Sequence, residues 1–275
     1  MPGSGASRDT RWGLVLPMLL AALLAGCATT RHPESATGPA ITLPPLPRDF
    51  NSIPNAVPEF VPRALHGNPP FYDVDGRRYY VLATADGYEA TGVASWYGPT
   101  FNGMRTADGD RYNMYAMTAA HKTLPLPCYV RVTNLGNGRS IVVKVNDRGP
   151  FVANRLIDLS YVAAAKLGML GTGTALVDVR AITFSDPAVL SRASASPPPV
   201  LYVQVGAYAF RRHADRVLAR LHAAGLAGAF IFGPPATRSH LYRVRIGPVS
   251  GVPEFDRLVA RLGALGYPDA RLVAP

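Results

Sequence analysis

The sequence predicts two folded modules: a small closed β-barrel, mainly β, followed by an α+β domain of βαββαβ order. Three observations carry this. Residues 92–184 hold short apolar strands separated by long turn-rich loops, a spacing that suits a barrel better than a sandwich. Residues 201–275 alternate strand and helix patterns cleanly. Between them, SDPAVLSRASASPPP (185–199) lacks periodicity and reads as a semi-rigid, proline-stiffened linker. A chain of 275 residues with 48% hydrophobic content has enough apolar side chains for two cores.

The elements follow in order. Residues 1–26 begin with Arg8 and Arg11 and continue into GLVLPMLLAALL, an apolar run too short for the ~20 residues of a membrane span but right for an export leader. The leader ends in Leu24-Ala25-Gly26-Cys27, which resembles a bacterial lipobox, with Cys27 as the lipidated first mature residue. An ordinary cleavage site followed by an accidental cysteine is the alternative. Ala28 is not the aspartate that holds lipoproteins at the inner membrane, so outer-membrane sorting is expected. Residues 27–70 are Pro-rich (ITLPPLPRDFNSIPNAVPEF) and read as a tether reaching away from the membrane at about 3 Å per residue. Residues 71–91 open with a hairpin about Asp75-Gly76.

Within 92–184 the patterns predict strands at 92–97, 129–134, 140–146 and 175–184, and one helix from the N-cap Ser160 through Leu167 to Gly168. Residues 200–275 form the second domain. Its strands are expected at 201–207, 229–232, 240–246 and 270–273, and its helices at 213–224 and 253–265. Val217, Leu218 and Leu221 form one apolar stripe, and Phe255, Leu258, Val259 and Leu262 the other. A ferredoxin-like sheet with both helices on one face follows. Val203, Val205, Val244 and Ile246 then face the helices, leaving Tyr202, Gln204, Arg243 and Arg245 on the open face. That set suits a sugar bearing a carboxylate; the alternative is an ordinary solvated sheet face.

Chemistry concentrates between Gly92 and Ser160. Asp108, Asp110, His121 and Asp147 each sit beside turn formers and read as loop residues. From the residues alone, Asp147 and Arg148 either serve a reaction or pin the turn before Gly149-Pro150. Asp158 is read as a helix cap or a partner of Arg155. Cys128, in the strand-like CYVRV, reads as a buried, inert thiol. A lone His121 with scattered aspartates lacks zinc-ligand spacing, so no metal and no cofactor are expected. A net charge of +10 favours anionic partners. Export argues against nucleic acid, including RNA on the C-terminal sheet, and leaves phospholipid or an acidic polysaccharide.

GVASWYGPTFNGMRTADG, TAAHKTLPLP, VRVTNLGNGRSIVVKVNDRGPF and RLIDLS, in that order, resemble the rare lipoprotein A family, whose core is a double-psi β-barrel. LYVQVGAY and LYRVRIGPV are similar to SPOR domains. The resemblance implies a lytic transglycosylase that cuts peptidoglycan strands lacking stem peptides and leaves 1,6-anhydro ends. The SPOR domain would bind such denuded glycans at the division septum. It carries the family's functional acid (NDRGP) onto Asp147, its histidine (AAH) onto His121 and its glutamate (TA-x-GE) onto Asp110, one methylene shorter. His213 replaces an asparagine often found at the start of the first SPOR helix.

On this basis Asp147 is expected to be acid and then base, its proton affinity raised by burial near Trp96 and Tyr97 and by the carboxylate of Asp110. His121 would orient or stabilise. Trp96, Tyr97, Arg148, Tyr202, Gln204, Arg243 and Arg245 are the expected substrate contacts. The competing reading is an expansin-like glycan binder that loosens the wall without cutting it. The sequence names no protein partner.

Overall fold

The computed structural model describes residues 43–183, 199–233 and 240–275, all within the unit that runs from Leu43 to Pro275. The leader, Cys27, the first part of the expected tether and most of the linker lie outside the described residues.

Strands β1 (Phe71–Val74) and β2 (Arg77–Tyr80) pair as the expected hairpin, with Asp75 and Gly76 both at positive φ in the turn. Six strands then close a barrel in the order β3-β7-β4-β6-β5-β8. They are β3 (Glu89–Trp96), β4 (Thr118–His121), β5 (Cys128–Asn134), β6 (Ser140–Asp147), β7 (Ile157–Leu159) and β8 (Ala175–Ala181). Val130, Val132, Ile141, Val143, Val145, Val177 and Val179 alternate inwards and fill it. Helix α1 (Tyr161–Leu167) packs Val162, Ala163, Ala164 and Leu167 onto the same core. It is capped as expected: Ser160 Oγ accepts from Ala163 N, and Gly168 closes it in the left-handed region.

Two findings depart from the sequence reading. β4 and β7 were not expected as strands, and they pair with each other beside β6 and β3, so His121 and Asp147 end strands rather than sit in free loops. Residues 43–70 are not a free tether. They run along the barrel as a strap, with Ala56 N donating to Val142 O at 3.1 Å and Ala64 N to Leu126 O at 2.9 Å. Tyr161 Oη donates to Pro44 O at 3.0 Å, while Phe50, Ile53 and Ala56 pack on the barrel core. A proline-rich segment has few internal hydrogen bonds, so its carbonyls and amides are free to pair with a neighbour.

The C-terminal module comprises β9 (Tyr202–Tyr208), α2 (Arg211–Ala223), β10 (Ala229–Phe232), β11 (Tyr242–Ile246), α3 (Val252–Ala264) and β12 (Arg271–Val273). Its sheet order, β10-β11-β9-β12, puts the first and third strands at the centre as expected. Val203, Val205, Val244 and Ile246 are buried with Leu221, Phe255, Val259 and Leu262 from the helices. Val93 of β3 belongs to the same apolar cluster, and Arg155 forms a two-pronged ion pair with Asp256 at 2.9 and 3.0 Å. The two modules therefore touch, where the linker alone suggested simple separability.

Candidate active site

Asp147 ends β6 beside an irregularity in its pairing with β4: Ala119 faces Val145, but Ala120 faces Asp147, so Asn146 is an extra residue. Strict alternation would have kept Asp147 on the same side as Val143 and Val145. The bulge turns it to the face of Ala120 instead. Ala120 in turn faces Asp158 on β7, and Asp158 faces Ser95 on β3. Residues in register share a face, so Ser95, Asp158, Ala120 and Asp147 form one row across four strands. At the usual ~4.8 Å between strands, the two aspartate Cα atoms lie about 10 Å apart with only a methyl group between them.

Asp147 Oδ1 accepts from Ala107 N at 2.8 Å and from Arg148 N at 2.7 Å. Oδ2 has no partner among the described residues and is not among the buried unpartnered atoms, so it is open to solvent. Burial pushes the Asp147 carboxyl above the usual carboxylate range; the two amides and Arg148 partly offset this, and the charge of Asp108 adds to it. The expected burial is present, but the like-charged neighbour is Asp108, not Asp110. Asp108 is nearly buried, accepting from Thr106 Oγ1 at 2.7 Å and Asp110 N at 3.1 Å. Asp110, about half exposed, turns outwards to Lys144 Nζ at 2.8 Å, and that hydrogen bond holds its carboxyl below the ordinary value.

His121 is placed differently from expectation. It follows Ala120 on β4 and so faces the opposite side of the sheet. Its Nδ1 accepts from Thr123 N and Leu124 N at 3.1 and 3.0 Å, which leaves the proton on Nε2, 2.8 Å from Tyr88 Oη. Burial, then Arg148 and Lys122, pull its pKa down to about 3. The ring is neutral and braces the 121–124 turn.

Arg148 is likewise not free for substrate. Its Nε donates to Gly67 O at 2.9 Å, its Nη1 to His121 O and Leu124 O at 3.1 and 2.5 Å, and its Nη2 to Asn68 Oδ1 at 3.3 Å. It staples the strap to the end of β6. A side chain at Gly67 would come within 2.6 Å of Ala107 O, so only glycine lets the strap press on the loop that holds Asp147.

Tyr97 reaches the row: both Asp147 and Asp158 contribute to the raised pKa of its hydroxyl, after burial. The hydroxyl is buried near Thr118, without a hydrogen bond of ordinary geometry. Trp96 packs behind it against Tyr161, with ring centroids 5.5 Å apart. Asp158, read from sequence as a cap or a partner of Arg155, is neither: Ser160 caps α1 and Arg155 pairs with Asp256. Its Oδ1 is buried and unpartnered. Burial raises its pKa, with Ser95, Arg155 and Lys122 opposing and Asp147 adding. The available signal was a single acid between two fully buried residues, Ile157 and Leu159. Cys128 carries the inert thiol expected of it, pushed up to about 12 by burial. Among the described residues no group of three His, Cys, Asp or Glu side chains could hold a metal ion.

On the C-terminal sheet, Tyr202 meets Phe230 edge to face at 5.4 Å and Arg243 Nη1 donates to Leu241 O. Gln204 and Arg245 do not lie open. Both are buried, and the Arg245 guanidinium lies 4.3 Å from the centre of the Phe232 ring with its Nε unpartnered. The Phe232 ring lies against the cation that alternation alone left exposed.

Residues 89–179 match the family described as lytic transglycolase, and residues 197–273 match the SPOR domain. The chain is 36% identical to the endolytic peptidoglycan transglycosylase RlpA of Pseudomonas aeruginosa strain PAO1, over 95% of this chain and 98% of that protein. It is 37% identical to the RlpA of Vibrio cholerae over 94% and 95% of the two chains. A shorter match to RlpA of Neisseria meningitidis reaches 55% identity over 40% of this chain and 46% of that one.

Proposed function

The chain belongs to the RlpA family of endolytic peptidoglycan transglycosylases, with a double-psi β-barrel and a C-terminal SPOR domain, and from this we propose how its residues perform the reaction. It is a lytic transglycosylase of the cell wall, acting in the periplasm on peptidoglycan. The row of Asp147, Ala120 and Asp158 carries the proposal. Asp147 is the general acid: its Oδ1 is committed to two amides, so its proton sits on the open Oδ2.

Oδ2–H protonates the glycosidic oxygen as the bond to C1 of the muramic residue breaks, and the electron pair leaves with the departing sugar. Positive charge spreads over C1 and the ring oxygen, facing the Asp158 carboxylate. The muramic C6 hydroxyl then adds to C1 and its proton passes to Asp147, restoring the acid and leaving a 1,6-anhydro end with no water consumed. One carboxyl does the proton transfers, unlike the paired scheme of hydrolytic glycosidases. His121 and Arg148 hold the strand and its turn, and Asp110 with Lys144 fixes the loop that presents Ala107 N.

Strands without stem peptides are the proposed substrate, and the septum and outer membrane, through a lipidated Cys27, the proposed address. Digesting denuded strands and weighing the products tests the chemistry. Anhydro-muramic ends are expected from the wild type, and Asp147→Asn, which keeps both amide contacts but has no acid proton, should lose at least the ~10²-fold typical of general acid catalysis. A folded, fully active Asp147→Asn would remove Asp147 from the role. Radiolabelled palmitate on a Cys27→Ala protein would refute the anchor.

A further inference from the structure

Beside the carboxylate row lies a group of side chains that the reaction above does not use. A methyl group at Gly149 would lie 3.9 Å from both Ala120 Cβ and Phe151 Cε2, so the Phe151 ring and Ala120 flank the same glycine. Phe151 is 39% exposed although it packs edge-on to Tyr72 at 6.2 Å and tilted on Tyr79 at 5.8 Å. Tyr72 and Tyr79 form the barrel-facing side of the β1–β2 hairpin, and Tyr72 Oη donates to Lys122 O at 2.7 Å.

Two cations meet here. Lys122 follows the last residue of β4, and its Nζ donates to Arg155 O at 2.5 Å, leaving two of its three donors unused. Arg77, on the same hairpin face as Tyr79, has its guanidinium 5.6 Å from that ring and acts on Lys122 electrostatically. Neither has a carboxylate within ion-pair distance among the described residues, while Arg78, Lys144, Arg155, Arg180 and Arg211 each do. Burial, assisted by Arg77 and Arg155 and opposed by Asp158, pulls Lys122 down to about 8. An anion placed between Lys122 and Arg77 would relieve that mutual repulsion.

We infer that Phe151, Lys122 and Arg77 form a sugar subsite beside the carboxylate row, in which Phe151 stacks on a muramic ring while Lys122 and Arg77 bind its free lactyl carboxylate. The inference rests on the glycan-cleaving reading above and gives it a chemical basis for substrate choice. A stem peptide is joined to the lactyl group through an amide, which is neutral and bulky. Amide hydrolysis that removes the peptide uncovers one carboxylate per muramic residue, so the subsite places this enzyme after an amidase-type reaction.

The test compares denuded strands with the same strands after their lactyl carboxylates have been coupled to methylamine, using the mature chain in detergent. Wild-type KM should rise about tenfold or more on the methylamide, the scale of losing a charge-assisted hydrogen bond. Arg77→Gln and Lys122→Gln should raise KM on the free-acid strand by a similar factor, Arg77→Gln with kcat retained, and show little further loss on the methylamide. Phe151→Ala should weaken both strands alike. Equal wild-type KM on the two strands, or unchanged KM in both charge variants, would overturn the subsite. Binding by the Asp147→Asn chain supplies the same comparison without turnover. The SPOR domain is common to all variants, so its contribution cancels in the variant-to-wild-type ratio on each strand, which is the comparison that isolates the subsite. A carboxylate-dependent binding without anhydro products would leave the subsite standing and sink the lyase reading; cleavage without carboxylate dependence would do the reverse.

Discussion

Asp158 has a buried oxygen with no donor, in register with the residue that faces the acid. Its worth to the reaction is electrostatic, so Asp158→Asn should cost at least tenfold in kcat with little change in KM, the pattern of a lost transition-state interaction. The pH profile separates this from packing. Asp147 must be protonated to start, so kcat falls as pH rises through its raised pKa. The groups acting on the two carboxyls are Asp108 and Arg148 at Asp147, and Lys122, Arg155 and Ser95 at Asp158, with Tyr97 and Tyr112 also within electrostatic reach. Asp147 and Asp158 repel each other when both are charged, so removing the Asp158 carboxyl should ease ionisation of Asp147 and move that fall to lower pH. An unmoved profile with a lowered melting temperature would make Asp158 merely structural. His121 carries the opposite sign for stability. Its folded pKa of about 3 lies below the ordinary value of 6.5, so the unfolded chain binds the extra proton between them and stability is lost as pH falls from about 6.5 towards 3. His121→Leu should melt lower at neutral pH, because two amides lose their acceptor at about 1–3 kcal/mol each. It should also show a shallower decline in acid; an equally steep decline would assign it to other groups.

At the scale of elements, β5, β6, α1 and the βαββαβ module were legible because each is long enough to show its period or carries its own stop signal, as with Ser160 and Gly168. Strands β4 and β7 were not. TAAH and IDL have four and three residues, too few for a period, and alanine has little strand preference of its own; neighbours make them strands. That loss hid the row, since Asp147 and Asp158 are related only through Ala120. The bulge at Asn146 was illegible for the same reason: it exists only relative to β4. Composition hides the strap because it reports what a segment cannot do alone, not what it does against a barrel. Asn68 shows how it is held. Its Nδ2 donates to Ala64 O and Leu126 O at 3.0 and 2.7 Å, and its Oδ1 accepts from Leu126 N at 2.8 Å. Asn68→Ala should cost about 2 kcal/mol or more, lowering the melting temperature by roughly 4–8 °C, and should slow turnover by loosening Arg148. Unchanged melting would mean the strap is dispensable.

For the whole molecule, the consequence of the packed modules is that wall binding and cutting are not mechanically independent. Arg155 precedes Leu156 and the β7 strand that carries Asp158, its carbonyl accepts from Lys122, and its guanidinium is clamped by Asp256 of α3. Val93 is fully buried within the apolar cluster of the C-terminal module. Removing residues 201–275 should therefore abolish enrichment on denuded wall and also uncover Val93 and leave Arg155, only 16% exposed at its side chain, without its anion. A milder change isolates the coupling. Asp256→Ala keeps both cores intact, because Asp256 is not one of the residues that fill either of them. If the ion pair and Val93 join the modules into one cooperative unit, calorimetry of the wild type should show a single transition, and Asp256→Ala should split or broaden it while lowering kcat through the freed β7 entry. Two separate transitions already present in the wild type, or an Asp256→Ala protein with unchanged melting and turnover, would show that the modules merely touch and that the SPOR domain acts as an address alone.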